Sequence, residues 1–242
     1  MPYVERPGGA DYGCPDEPFR APFEVSDKNA EFPQVTHTSE QYDYAISEGI
    51  KLFTRMGFSN VSIDDIVSAS GLNRYAIYSA FGTKADFFKA CVRRYCATAI
   101  ENLESLTNDP SIAPKEVVRR DLYSAAEEMC STRSGCLVCE NLNDMRHHSP
   151  ELAEYCQNFY TTKEGILTKL FSRALNSGSI PAELEPDKAA SAYMIFKFGL
   201  SVEVKRDTDV AVLNKKIDAF VSAMFRSSEK NGGQQSGPPN NQ

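Results

Sequence analysis

Between residues 40 and 225 the apolar positions recur every three to four residues, the spacing of one helical face, and the breaks fall where residues favour helix ends. Ile46, Ile50 and Phe53 predict a helix from about Glu40 to Arg55, ended by Gly57. Ser62 with Asp65 three residues on forms a capping box, in which hydroxyl and carboxylate satisfy amides of the first turn. A second helix follows through Ile63, Ile66 and Val67 and stops at Gly71. Asn73 caps a third, with Ile77 and Phe81 four apart and inward, leaving Arg74, Tyr75, Tyr78 and Ser79 on other faces. Thr83 and Asp86 repeat the capping box, and a long helix runs through Phe87, Phe88, Cys91, Val92 and Tyr95 toward Leu106.

Asn108-Asp109-Pro110 breaks that helix. Pro114, Pro150 and Pro186 each suit a first helical turn, where a missing amide costs nothing. The helices they open bury Val118, Leu122 and Met129; then Leu152, Cys156, Phe159, Ile166, Leu170 and Phe171; then Ala189, Tyr193, Phe196 and Leu200. A last helix from about Asp209 to Phe225 carries Val212, Leu213, Ile217, Phe220, Val221 and Met224. The expected fold class is therefore all-α.

The stretch Ser62 to Lys84, SIDDIVSASGLNRYAIYSAFGTK, spells two short helices joined by a tight turn. Its order of capping Ser, paired acids, Ile, small residues, Gly-Leu, a short helix with Ile-Tyr, then Phe-Gly-Thr-Lys resembles the DNA-binding domain of TetR/AcrR-type transcriptional regulators, over about Glu40 to Ile100. The pattern departs at Ala80, where the family usually carries an aromatic or His that often touches the DNA backbone. The segment Gly135-Cys136-Leu137-Val138 is similar to an opening found in the ligand-binding halves of a subset of these regulators. The resemblance implies a helix-turn-helix domain at 40–86, an effector-binding and dimerisation domain at 87–226, and a homodimer paired through the two C-terminal helices. Residues 1–39, rich in Pro, Gly and acid, are expected to form a flexible arm, and 227–242, rich in Gly, Gln, Asn and Pro, a disordered tail.

Net charge is −7, which at first opposes a nucleic-acid partner. Its distribution weakens that objection: residues 40–100 hold seven Lys/Arg against six Asp/Glu, while 1–39 and 101–242 each balance at −4. This excludes a general nucleic-acid coater and leaves room for a specific dimer on a double-stranded operator. Base-edge contacts are expected from Asn73, Arg74, Tyr75 and Ser79, with Arg74 spanning two guanine acceptors. Phosphate contacts are expected from Ser62, Tyr78, Thr83 and Lys84. No apolar run reaches membrane-spanning length and no leader is evident, so a cytoplasmic protein is expected, its seven cysteines mostly reduced.

The resemblance places an apolar effector pocket in the C-terminal half, with Met129, Leu137, Met145, Tyr155, Phe159 and Phe196 as candidate lining residues. An effector bound there is expected to tilt the Thr83-to-Leu106 helix, the one firm link to the reading domain that the pattern offers. Cys136 and Cys139 are candidate redox partners, although a disulfide between them would strain a helix. The adjacent His147 and His148 make a poor second ligand pair, so no metal is expected. No cofactor is expected either. With three His, no nucleophile elbow and no phosphate-cradling Gly loop, the chain does not read as an enzyme. The alternatives are a cysteine-based redox or metal sensor on the same fold, or a helical dimerisation protein without DNA binding.

Overall fold

The computed structural model describes residues 37–225, so the acidic arm up to residue 36, with Cys14, and the tail from 226 lie outside the described residues. Within them the chain is all-helical. α1 (Ser39–Met56) starts from a capping box of Thr38 and Gln41, and α2 (Ile63–Ser70) and α4 (Lys84–Asn108) start from the Ser62–Asp65 and Thr83–Asp86 boxes. α3 (Arg74–Phe81) is capped by Asn73, whose side-chain oxygen accepts the Ala76 amide at 2.8 Å. α5 (Pro114–Thr132), α7 (Pro150–Asn176) and α8 (Pro186–Lys205) open on proline, and α9 (Val210–Met224) is capped by Asp209. α6 (Leu137–His148) takes up the segment that follows Gly-Cys.

Gly71 joins α2 to α3 at φ 70°, ψ 1°, the left-handed conformation that a helix end needs and that side chains resist. Space is not the issue there, since a Cβ would meet nothing within 4 Å. Gly49 is glycine for the opposite reason. A Cβ on it would lie 2.6 Å from the Phe87 ring and 2.7 Å from the Cys91 sulfur, so its absence lets α1 press directly on α4.

Two apolar cores result. The first gathers Ile46, Phe53, Ile66, Leu72 and Ile77 from α1–α3 and their turns with Phe87, Phe88, Cys91 and Cys96 from α4, Leu137 and Met145 from α6, and Leu152, Cys156 and Phe159 from α7. The second joins Leu103 at the far end of α4, α5, the rest of α7, and α8 and α9. The packing boundary thus crosses the middle of α4 and of α7 rather than falling at residue 86.

α4 is also not the sole link to the reading domain, contrary to the expectation from the apolar pattern. Asn141 of α6, fully buried, accepts the Phe58 amide at 2.6 Å and donates to the Phe53 carbonyl at 3.2 Å. One turn on, Asp144 accepts the Ser59 amide at 3.1 Å and its hydroxyl at 2.9 Å. These are polar bonds across more than eighty residues of sequence, which apolar periodicity does not register.

Candidate nucleic-acid interface

α3 is oriented from below. Ala76 and Ile77 are buried, and Phe81 packs edge-on against Tyr42 of α1 and Phe87 of α4, with ring centroids 5.9 and 4.8 Å away. With that face fixed, Asn73, Arg74, Tyr75, Tyr78 and Ser79 are all presented to solvent. Tyr75 is 74% exposed and Tyr78 45%, which is unusual for large aromatic side chains and leaves their rings available for contact. Arg74 is paired with Asp64 of α2, but both side chains are more than half exposed. Such a pair contributes little to stability and is readily exchanged for a stronger partner.

The expected phosphate ligands are more divided. Tyr78 is free to reach outward. The hydroxyls of Ser62 and Thr83 both donate to their own capping carboxylates at 2.6 Å, so their protons are committed within the protein. Those hydrogen bonds hold the Asp65 and Asp86 carboxyls below their ordinary pKa. Lys84 is a correction: its ammonium donates to the Phe58 and Val61 carbonyls at 2.9 and 2.8 Å and lies 4.3 Å from the Phe58 ring centroid. A helix-terminal lysine reads as a phosphate ligand, yet this one fastens the α1–α2 loop to the start of α4.

The six candidate effector residues do not share one site. Leu137, Met145 and Phe159 belong to the first core and Met129 to the second. Tyr155 lines a shallow groove between α4 and α7 beside Arg93, and Phe196 stacks on Phe220 of α9 at 4.0 Å. Cys136 and Cys139 do come together. Cys136 is the N-cap of α6 with extended backbone, φ −88° and ψ 126°, so this pair straddles a helix start rather than lying within a helix. The Cys139 thiol, then the Tyr95 hydroxyl at 3.4 Å, hydrogen-bond to the Cys136 sulfur and lower its pKa to about 6 despite burial. Among the described residues no three His, Cys, Asp or Glu side chains are grouped to hold a metal ion, and no helix is long and apolar enough to cross a membrane.

Sequence reasoning missed Asp64 as the partner of Arg74, and Asn141 and Asp144 as supports of the loop beneath it. Asn141 had a visible signal, since it sits four residues from Leu137 and Met145 on the apolar stripe of α6.

Comparison with known proteins agrees with this geometry. The transcriptional regulator AcuR of Cereibacter sphaeroides is 28% identical over 152 residues, covering 62% of this chain and 69% of that one. The HTH-type transcriptional repressor BdcR of Escherichia coli is 26% identical over 131 residues, covering 54% and 66%. The structure of the TetR family transcriptional regulator CifR, a cysteine mutant complexed with 26-bp double-strand operator DNA, superimposes with a TM-score of 0.62 at 20% identity, covering 75% of this chain and 95% of that one. Residues 45–91 match the family model TetR_N, described as bacterial regulatory proteins, tetR family. That match falls on the residues that build and aim α3, so residues 45–91 form a DNA-binding domain of the tetR type, and with these relatives the chain is a DNA-binding regulator of transcription.

Proposed function

We propose that the protein is a homodimeric cytoplasmic repressor that reads a palindromic operator through paired α3 helices and releases it when a small molecule binds in the C-terminal half. The observation that carries this reading is the outward face of Arg74, Tyr75 and Tyr78 on a helix locked by Ile77 and Phe81. One such helix has little contact area, whereas two related by a dyad address successive major grooves about 34 Å apart. The operator-bound CifR structure supports the DNA arm of the reading, and BdcR, named a repressor, supports its sign. Selection of bound sequences from a random duplex library tests it: an inverted repeat is the expected outcome, and recovery of no sequence preference would refute it.

The second protomer has a place to pack. Ile195 and Val202, one heptad apart on α8, are 69% and 61% exposed, and Val212 on α9 is 44% exposed. A solvent-facing apolar stripe on the last two helices matches a four-helix dimer seam. The double variant Ile195→Asp, Val202→Asp is expected to raise the dimer dissociation constant by at least about tenfold, since each buried carboxylate opposes association by more than 1.4 kcal/mol. Sedimentation velocity reads this directly, and an unchanged dimer would place the interface elsewhere.

A thiol sensor on the same fold is a second reading, favoured by Cys136. Its hydrogen bonds from Cys139 and Tyr95 stabilise the thiolate, whereas burial pushes Cys91 well up. Brief treatment of the native protein with iodoacetamide at pH 7, read by peptide mass spectrometry, is expected to label Cys136 ahead of Cys91 and Cys96. Equal labelling, or none at Cys136, would remove this reading.

A further inference from the structure

Where a side chain caps a helix in this fold it belongs to Thr38, Ser62, Asn73, Thr83 or Asp209, each an oxygen acceptor. α6 begins instead at Cys136, whose sulfur is a poorer acceptor than any of these. Helix stability does not account for a cysteine there. Three residues on, within the first turn, stands Cys139, and the Glu140 amide donates to the Cys136 carbonyl at 3.0 Å, so the turn between them is regular. Side chains in this register meet. In the Ser62–Asp65 and Thr83–Asp86 boxes the same spacing across a helix start brings hydroxyl and carboxylate to 2.6 Å.

Both cysteines are free thiols, and each has a phenol of its own. Tyr95 of α4 donates to the Cys136 sulfur at 3.4 Å, and the Tyr160 hydroxyl of α7 lies 3.4 Å from the Cys139 sulfur. With Cys136 8% exposed and Cys139 half-buried, the pair is covered but not sealed. The hydrogen bond from Cys139 favours the thiolate at Cys136 and holds Cys139 itself up as a thiol. One sulfur is the nucleophile and the other its reserve.

The pair stands one turn from the contact with the reading domain. The Asn141 side chain donates to the Leu137 carbonyl at 2.8 Å, and it also accepts the Phe58 amide and donates to the Phe53 carbonyl. On the other side of Cys136, a Cβ added to Gly135 would lie 2.7 Å from the Glu140 carboxylate and 3.1 Å from Ser201 of α8. A shift at Cys136 has no room there and passes along α6.

We propose that Cys136 and Cys139 are a hydroperoxide-reactive pair that closes into a disulfide across the start of α6, loosening the hold of Asn141 on the α1–α2 loop and with it operator binding. The proposal rests on the thiol-sensor reading above and names its oxidant class and its product. In the first step the Cys136 sulfur attacks a peroxide oxygen: an S–O bond forms, the O–O bond breaks, and the leaving oxygen takes a proton to depart as alcohol or water. The Cys139 sulfur then attacks the Cys136 sulfenic acid, an S–S bond forms, and the hydroxyl leaves as water with the Cys139 proton. In sum, two thiols and one hydroperoxide become one disulfide, one alcohol and one water. Closure draws the two sulfurs toward each other and away from Tyr95 and Tyr160, so α6 loses a tie to α4 and another to α7.

The test treats the reduced full chain with an equimolar dose of hydrogen peroxide or cumene hydroperoxide, quenches by alkylation and digests with trypsin. Cleavage after Arg133 and Arg146 leaves both cysteines on one peptide, Ser134–Arg146. That peptide is expected to be two hydrogens lighter and unalkylated, while those carrying Cys91, Cys96 and Cys156 are alkylated. Operator affinity is expected to fall roughly 5- to 150-fold, the usual range of coupling between two sites, and to recover with dithiothreitol. Cys136→Ser gains a better cap and is expected to fold, to bind operator like the reduced wild type and to ignore peroxide. In Cys139→Ser the reaction stops at the sulfenic acid, which dimedone traps on Cys136. A peptide that stays reduced, sulfinic or sulfonic acid without a disulfide, or a bond to another cysteine would overturn the pair. If iodoacetamide labels Cys136 in that case, the thiol-sensor reading survives and only the disulfide is lost, whereas no labelling removes both. A complete disulfide with unchanged operator affinity overturns the link through Asn141.

Discussion

Arg74→Ala is expected to weaken operator binding by roughly 5- to 150-fold per reading helix, the cost of about 1–3 kcal/mol for losing one bidentate base contact, and a dimer loses it twice. The same change should leave the thermal midpoint almost untouched, because Arg74 spends its charge in the free protein on an exposed pair with Asp64. Tyr75→Ala should behave alike, since its ring is 74% exposed and supports no core. Fluorescence anisotropy on the selected operator, beside differential scanning calorimetry, separates reading from folding. Discrimination should relax at the base facing Arg74, whereas a phosphate contact would weaken all sequences evenly. If Arg74→Ala binds as tightly as wild type, α3 does not read DNA with this residue.

Asn141→Leu should show the converse. It removes the side-chain acceptor of the Phe58 amide and the donor to the Phe53 carbonyl at a position that is fully buried. Taking away one partner of a buried hydrogen bond costs about 1–3 kcal/mol, which for a domain of this size lowers the melting midpoint by roughly 3–10 °C. Adding Asp144→Ala releases Ser59 as well and frees the α1–α2 loop from α6. Because that loop also receives Lys84, operator affinity should fall although no residue at the DNA surface has changed. A midpoint within a degree of wild type would mean that α6 merely lies beside the reading domain.

The parts of this protein visible in its sequence are those governed by local rules. Each capping box depends on residues three apart, so Ser62–Asp65 and Thr83–Asp86 and the helices they start could be read directly, as could the Pro-opened helices and the turn at Gly71. The outward face of α3 followed from the inward positions of Ile77 and Phe81. Lys84 could not be read this way: a lysine at a helix start is equally suited to a phosphate or to carbonyls in a loop 23 residues earlier. The candidate effector residues did not form a set because apolar residues on four helices, α5 to α8, fill two cores alike, and periodicity does not tell which core each enters. Asn141 went unread although it carried a signal, since a polar residue on an apolar stripe marks a place where burial is matched by a specific bond, here with the Phe58 amide and the Phe53 carbonyl.

The sharing of α4 and α7 between the two cores has a consequence for how the molecule can be divided. A fragment ending at residue 86 would keep three helices but forfeit Phe87, Phe88, Cys91, Leu137 and Cys156, the wall against which they fold. The reading head is thus not a cassette that can be cut out and grafted onto another sensor at that point. A working chimera must carry the first half of α4 together with α6 and the start of α7, so in this protein the DNA-reading head cannot be exchanged without bringing part of the C-terminal half along.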